Sequence, residues 1–238
     1  MTAKPVRIPS GRDELAAVLH LPAERPCPCV VTCHGMGASK DSEKYVLVAD
    51  ELTRVGLAVV RFDFRGSGES GGRYEDATIA SRVADLVAVL DHFGGQPELD
   101  GRFGLLGSSL GGFVALWTVA QRRTALPIVT WNAPADLRGV QVDPSDPHGP
   151  GAALVAEVRG GRHAAAPSGV SHLLVVQGGR DEVVPAAHGQ MLYGDAAAPK
   201  QLELIEGADH RLSDPRDRWR ALDASRTWLV RHLGSEAA

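Results

Sequence analysis

Apolar residues along this chain gather into short runs of strand length, separated by stretches with helical spacing. That alternation predicts an α/β fold: a mostly parallel sheet covered by helices on both faces. Eight runs qualify, at residues 6–8, 15–20, 30–33, 57–64, 103–106, 128–131, 173–176 and 202–205. The first two flank Pro9-Ser10-Gly11 and read as an antiparallel edge pair. Ile79, Val83, Leu86, Val87 and Leu90 recur at helical spacing. Ser213 or Asp214 before Pro215 marks a capped helix start, with Trp219, Leu222, Leu229 and Leu233 as its expected buried stripe. Residues 135–171 break the rhythm. They are rich in Pro, Gly, Asp and Ala, with one apolar patch at 154–158, and predict a short lid or mobile excursion within a single domain spanning 1–238.

Composition narrows the function. At 238 residues and 44% hydrophobic content, the chain can bury one sizeable core. Its net charge of −4 is spread over interleaved acidic and basic residues, which argues against nucleic acid or anionic lipid as a partner and favours a small-molecule substrate. Residues 1–21 lack the apolar core of a signal peptide, and no apolar run approaches the roughly 20 residues needed to span a bilayer. A soluble, cytoplasmic protein is expected. Cys27, Cys29 and Cys33 crowd into one predicted strand without metal-site spacing, so they read as reduced thiols, and no metal is expected.

The clearest chemical signal is a Gly-x-Ser-x-Gly stretch, but two stretches fit it: Gly107-Ser108-Ser109-Leu110-Gly111 and Gly68-Glu69-Ser70-Gly71-Gly72. Context separates them. A nucleophile elbow needs a strand running into a tight turn and then a helix, which exposes the serine at a helix N-terminus. Ser109 follows the run at 103–106 and precedes Phe113, Leu116, Trp117 and Ala120 at helical spacing. Ser70 lies in a glycine-rich loop instead, and Ser108 falls on the wrong side of the turn.

A serine hydroxyl needs a histidine to remove its proton, and the imidazole needs a carboxylate to hold its tautomer. After such an elbow the acid precedes the histidine in the chain. His210, in the loop after the run at 202–205, fits better than His232 at the end of the last helix. Asp181 follows the strand at 173–176 and is the expected acid; Asp136 is the alternative, while Asp209 and Glu182 read as turn or surface residues. An oxyanion needs preorganised donors. The backbone N–H of Leu110 supplies one, and that of Met36, in His34-Gly35-Met36-Gly37, the other, with His34 holding the loop by hydrogen bonds.

Together these residues resemble the α/β-hydrolase superfamily over nearly the whole chain. The resemblance is carried by His34-Gly35, residues 62–70, the Ser109 elbow, Asp181-Glu182-Val183-Val184-Pro185 and residues 204–210. Within the superfamily, Asp63-Phe64-Arg65-Gly66-Ser67-Gly68-Glu69-Ser70 and Ile205-Glu206-Gly207-Ala208-Asp209-His210 are most similar to bacterial cinnamoyl and feruloyl esterases and related carboxylesterases. This implies an eight-stranded α/β-hydrolase fold and hydrolysis of carboxylic esters through an acyl-enzyme, with no cofactor. Residues 63–70 then form a loop bordering the pocket, with Arg65 in an ion pair. The lid departs from those esterases in being shorter and poor in aromatics, which suggests an open site for short or exposed acyl esters; a second copy, as a homodimer, could cover it. The rival readings are a serine peptidase or acylaminoacyl-type amidase and a non-catalytic hydrolase-fold binding protein.

Overall fold

A computed structural model describes residues 2–141 and 149–234. Eight strands form one sheet: β1 (Thr2–Ser10), β2 (Asp13–Leu21), β3 (Cys27–Cys33), β4 (Ala58–Phe62), β5 (Leu99–Ser108), β6 (Ile128–Trp131), β7 (Leu173–Gly178) and β8 (Lys200–Ile205). Their order is β1-β2-β4-β3-β5-β6-β7-β8. The sheet is mixed. β1 pairs antiparallel with β2 and β2 antiparallel with β4, while the pairs from β4 to β8 are parallel.

The buried strands point successive side chains to opposite faces. Leu105, Ile128, Leu173 and Val175 join a core on the side of α2 (Ile79–Gly94) and α3 (Leu110–Arg122), whereas Leu106, Val129, Leu174 and Val176 meet α1 (Glu43–Arg54) and α6 (Pro215–Leu233). Because both faces are covered, most positions of such a strand are apolar, with Thr130 and Gln177 as buried exceptions, and this is why they read as continuous runs. α5 (Ala186–Asp195) completes the first layer through Leu192.

Three expectations need correcting. β1 is nine residues long rather than three; its exposed Thr2-Ala3-Lys4-Pro5 start is held by pairing with β2 and carries no burial signal. β4 stops at Phe62, because Asp63 leaves the strand to accept from the backbone N–H groups of Lys40 (2.6 Å) and Glu69 (3.0 Å). Trp219 is 48% exposed, and α6 instead buries Ala221, Leu222, Ser225, Trp228, Leu229 and Leu233. The expected cap of α6 is present: the Asp214 carboxylate accepts from Arg216 N–H at 2.8 Å.

The insertion expected at 135–171 carries a helix, α4 (Ala152–Arg159), where the sequence showed only an apolar patch. Residues 142–148 of that expectation lie outside the described residues. The described parts are anchored. Glu157 is buried and accepts from Ile79 N–H (2.6 Å) and Ala80 N–H (3.2 Å) at the start of α2, and its other contact is His163 Nδ1 at 2.8 Å. Trp117 Nε1 donates to the Ala165 carbonyl at 3.1 Å. Among the described residues no helix is long and apolar enough to cross a membrane.

Candidate active site

The elbow forms where β5 ends and α3 begins. Ser109 takes φ 53°, ψ −127° as the residue before the first helical turn. A non-glycine residue is strained there, and such strain is held only when its surroundings over-determine it. Here Ser109 N–H donates to the Trp131 carbonyl at 2.8 Å, and its own carbonyl accepts from Gly112 N–H at 3.0 Å. The turn also requires close backbone packing: a Cβ on Gly111 would lie 2.1 Å from the Cys33 carbonyl oxygen.

The three residues selected from sequence meet at the strand ends. His210 Nε2 is 3.2 Å from Ser109 Oγ, and His210 Nδ1 is 2.8 Å from Asp181 Oδ2. The Asp181 side chain is fully buried. Its Oδ1 accepts from Val183 N–H (2.9 Å) and Val184 N–H (2.7 Å), which fixes the carboxylate and leaves Oδ2 for the histidine. With Asp181 ionised, Nδ1 is the protonated nitrogen and Nε2 accepts from the serine.

The competing residues are engaged elsewhere. Ser70 Oγ donates to the Asp63 carbonyl at 2.6 Å and accepts from Ala16 N–H at 2.9 Å, stitching the 63–70 loop to β2. Arg65 in that loop pairs with Asp85 at 2.6 Å, as expected. Ser108 accepts from Lys44 Nζ at 2.8 Å. Asp136 pairs with Arg138, and His232 meets the His172 ring edge-on and the Trp228 ring at a tilt. The three cysteines are free and buried, and burial pushes their thiols up. Among the described residues, no group of three or more His, Cys, Asp or Glu is arranged to hold a metal ion.

The loop after β3 passes directly beside the nucleophile, since a Cβ on Gly35 would fall 3.7 Å from Ser109 Oγ. His34 holds that loop. Its Nε2 accepts from Phe64 N–H at 3.0 Å, so Nδ1 carries the proton and donates to the Gly35 carbonyl at 2.8 Å. Burial pushes His34 down to about 4, which keeps it neutral and suited to this paired role. Leu110 is the first residue of α3, so its N–H has no acceptor within the helix. Met36 lines the same cavity as Ser109.

Asn132 was not singled out from sequence. It sits just after β6 with φ 52°, a region Asn tolerates better than most residues, and it is 1% exposed. Its Nδ2 donates to the carbonyls of Asp209 (3.1 Å) and His210 (2.9 Å), and its Oδ1 accepts from Gly178 N–H at 2.7 Å. One side chain therefore ties the histidine loop to the end of β7. The loops meet closely, for a Cβ on Gly178 would lie 2.6 Å from the Ala208 carbonyl oxygen. Asn132→Ala is expected to lower kcat by roughly 10- to 100-fold with less change in KM, as displaced catalytic geometry does. Steady-state kinetics on a purified, folded variant would check this, and a change confined to KM would refute the positioning role.

A cavity of about 860 Å³ opens over these groups, lined by residues including Met36, Ser108, Ser109, Val183 and His210. It is of ordinary size for a small-molecule site. A smaller depression of about 360 Å³ around Leu90, Phe103 and Leu126 contains no serine, cysteine or histidine.

A strained, half-buried serine that lines a cavity at a strand-to-helix elbow, in line with a histidine and a buried aspartate, on a mostly parallel sheet, defines a serine hydrolase of the α/β-hydrolase fold. Residues 24–149, more than half of the chain, match the family described as serine aminopeptidase, S33, and the chain belongs to that family. An uncharacterised protein of Mycobacterium tuberculosis is 31% identical over 216 residues, covering 85% of this chain and 70% of that one. The esterase domain of a Rhodothermus marinus protein is 25% identical with a TM-score of 0.73, covering 98% of this chain and 100% of that one. The ferulic acid complex of Est1E from Butyrivibrio proteoclasticus, 21% identical with a TM-score of 0.81, shares the fold over 95% of this chain and 98% of its own.

Proposed function

We propose that this chain is a carboxylic ester hydrolase that works through an acyl-enzyme. The observation that carries the reading is the continuous line from Asp181 Oδ2 through His210 to Ser109 Oγ, with contacts of 2.8 and 3.2 Å. Ser109 Oγ attacks the ester carbonyl while His210 Nε2 takes its proton. Asp181 stabilises the imidazolium, and the Met36 and Leu110 N–H groups hold the oxyanion, each such donor contributing about 3 kcal/mol to the transition state. The tetrahedral adduct collapses as His210 passes the proton to the departing alkoxide. Water then enters, gives its proton to His210, attacks the acyl-enzyme carbonyl and releases the acid with Ser109 restored. The scheme calls for no metal or organic cofactor.

The family description favours a second reading, an aminopeptidase, since the same three groups cleave amides when the leaving amine is protonated. An aminopeptidase must also hold a free substrate ammonium, which requires an available carboxylate at the cavity wall. Of the two described glutamates lining it, Glu43 is engaged by Arg218 at 3.1 Å and Glu182 is exposed, while Lys44, Arg211 and Arg218 outnumber them and leave the wall positive, which disfavours an ammonium. This supports the ester reading. Short-chain esters are expected to turn over with a kcat/KM at least about 100-fold above that of matched aminoacyl anilides. Faster anilide cleavage would move the assignment to the peptidase.

A further inference from the structure

The cavity beside Ser109 holds a cation without a counter-charge. Lys44, in the first turn of α1, directs Nζ to Ser108 Oγ at 2.8 Å, a neutral partner one residue before the nucleophile. No described carboxylate pairs with it, and none pairs with Arg211 on the same lining. The other cation there, Arg218, is already answered by Glu43 at 3.1 Å and by the Leu212 carbonyl, to which its Nε donates at 3.1 Å. The chain treats its fully buried lysine quite differently from the half-buried Lys44: Lys40 is met by three carboxylates, Asp41 at 2.7 Å, Asp63 at 3.2 Å and Glu69 at 2.5 Å.

Beyond the Tyr45 ring, whose centroid lies 5.3 Å from Nζ, local structure offers no reason to keep a cation at Lys44. A positive charge in the first turn of a helix opposes the helix dipole, and burial without a counter-ion adds a desolvation cost. Burial, together with the charges of Arg218 and Arg211, pushes the ammonium down to about 8. Both features signal a shortage of negative charge in the cavity, where Glu43 and the exposed Glu182 stand against Lys44, Arg211 and Arg218, and the N-terminus of α1 adds to the positive potential. An incoming anion would relieve the shortage.

We propose that the site selects esters carrying a free carboxylate, half-esters of short dicarboxylic acids, with Lys44 and Arg211 holding the carboxylate while Ser109 attacks the ester carbonyl. This rests on the ester-hydrolase reading for its chemistry. Lys44, Ser108 and Ser109 line one cavity, so the proposal calls for a short chain between the carboxylate and the ester carbonyl.

The test compares monoethyl glutarate with ethyl pentanoate, which match in acyl-chain length and differ in charge. The half-ester is expected to show a kcat/KM about tenfold higher or more, the effect of one charge-assisted hydrogen bond. Lys44→Met should bring the ratio of the two rates close to one, and Lys44→Arg should retain most of it. A ratio near or below one in the parent protein, or an unchanged ratio in Lys44→Met, would overturn the proposal. Calorimetry on Ser109→Ala separates binding from chemistry. That variant should bind monoethyl glutarate, and adding Lys44→Met should weaken binding about tenfold; no binding to Ser109→Ala, or equal binding in both variants, counts against the site. If neither ester is hydrolysed while Lys44-dependent binding persists, the carboxylate site stands and the esterase reading falls.

Discussion

Ser109→Ala will leave no more than about one part in 10⁴ of the parent's ester turnover and will abolish labelling by a fluorophosphonate probe. The size of the loss follows from what the hydroxyl does. Without it there is no acyl-enzyme, and the remaining donors and cavity can only favour direct attack by water. His210 keeps its 2.8 Å contact to Asp181, so the fold should be undisturbed and thermal unfolding close to that of the parent. Ser70→Ala provides the control. That hydroxyl ties the 63–70 loop to β2 by joining the Asp63 carbonyl to Ala16 N–H, so its removal costs stability, by about 1 kcal/mol, while labelling persists. Continued labelling of Ser109→Ala would remove Ser109 from the chemistry.

Asp181→Asn will lower kcat by about 10⁴-fold with little structural change, as the corresponding substitution does in a serine protease. The local hydrogen bonds explain why. Val183 and Val184 both donate to Asp181 Oδ1, so an asparagine here must keep its oxygen on that side. Its amide nitrogen then faces His210 Nδ1 and donates to it. The imidazole is forced into the tautomer with the proton on Nε2, pointing at Ser109 Oγ, and can no longer accept the serine proton. A pH–rate profile measured alongside the parent would check this. If Asp181→Asn kept more than a tenth of the parent rate, another residue would have to be orienting the histidine.

Much of this site was legible because its parts depend on local order. The strands at 103–106, 128–131 and 173–176 are buried on both faces and therefore almost wholly apolar, and each reactive residue follows a strand within a few positions. The two Gly-x-Ser-x-Gly stretches were separable because only one sits between an apolar run and a helical repeat. Other features depend on partners distant in the chain. Asn132 bonds to carbonyls 77 and 78 residues later, and nothing in its neighbours announces them. Glu157 caps a helix 78 residues earlier. Lys44 looks like any polar residue on an amphipathic helix until α1 sets it against Ser108, 64 residues away. The misplacement of Trp219 has a simpler origin. Trp219 lies roughly 180° around α6 from Trp228, at the margin of the Leu222, Leu229 and Leu233 stripe, and the buried face widens toward Trp228 through Ala221 and Ser225, whose small side chains carry little apolar signal.

The contact between Glu157 and the first turn of α2 also bears on how such a pocket can diversify. The inserted segment contributes Gly149 and Pro150 to the cavity wall, so it is a natural place for mutation to reshape substrate choice. Yet the same segment carries the carboxylate that satisfies donors at the end of a core helix. Exchanging it wholesale would change specificity and remove a helix cap in one step, at a cost of about 1 kcal/mol or more. A change of specificity in this loop that keeps the fold intact therefore has to leave Glu157 and its partner His163 in place while the residues beside the cavity are replaced.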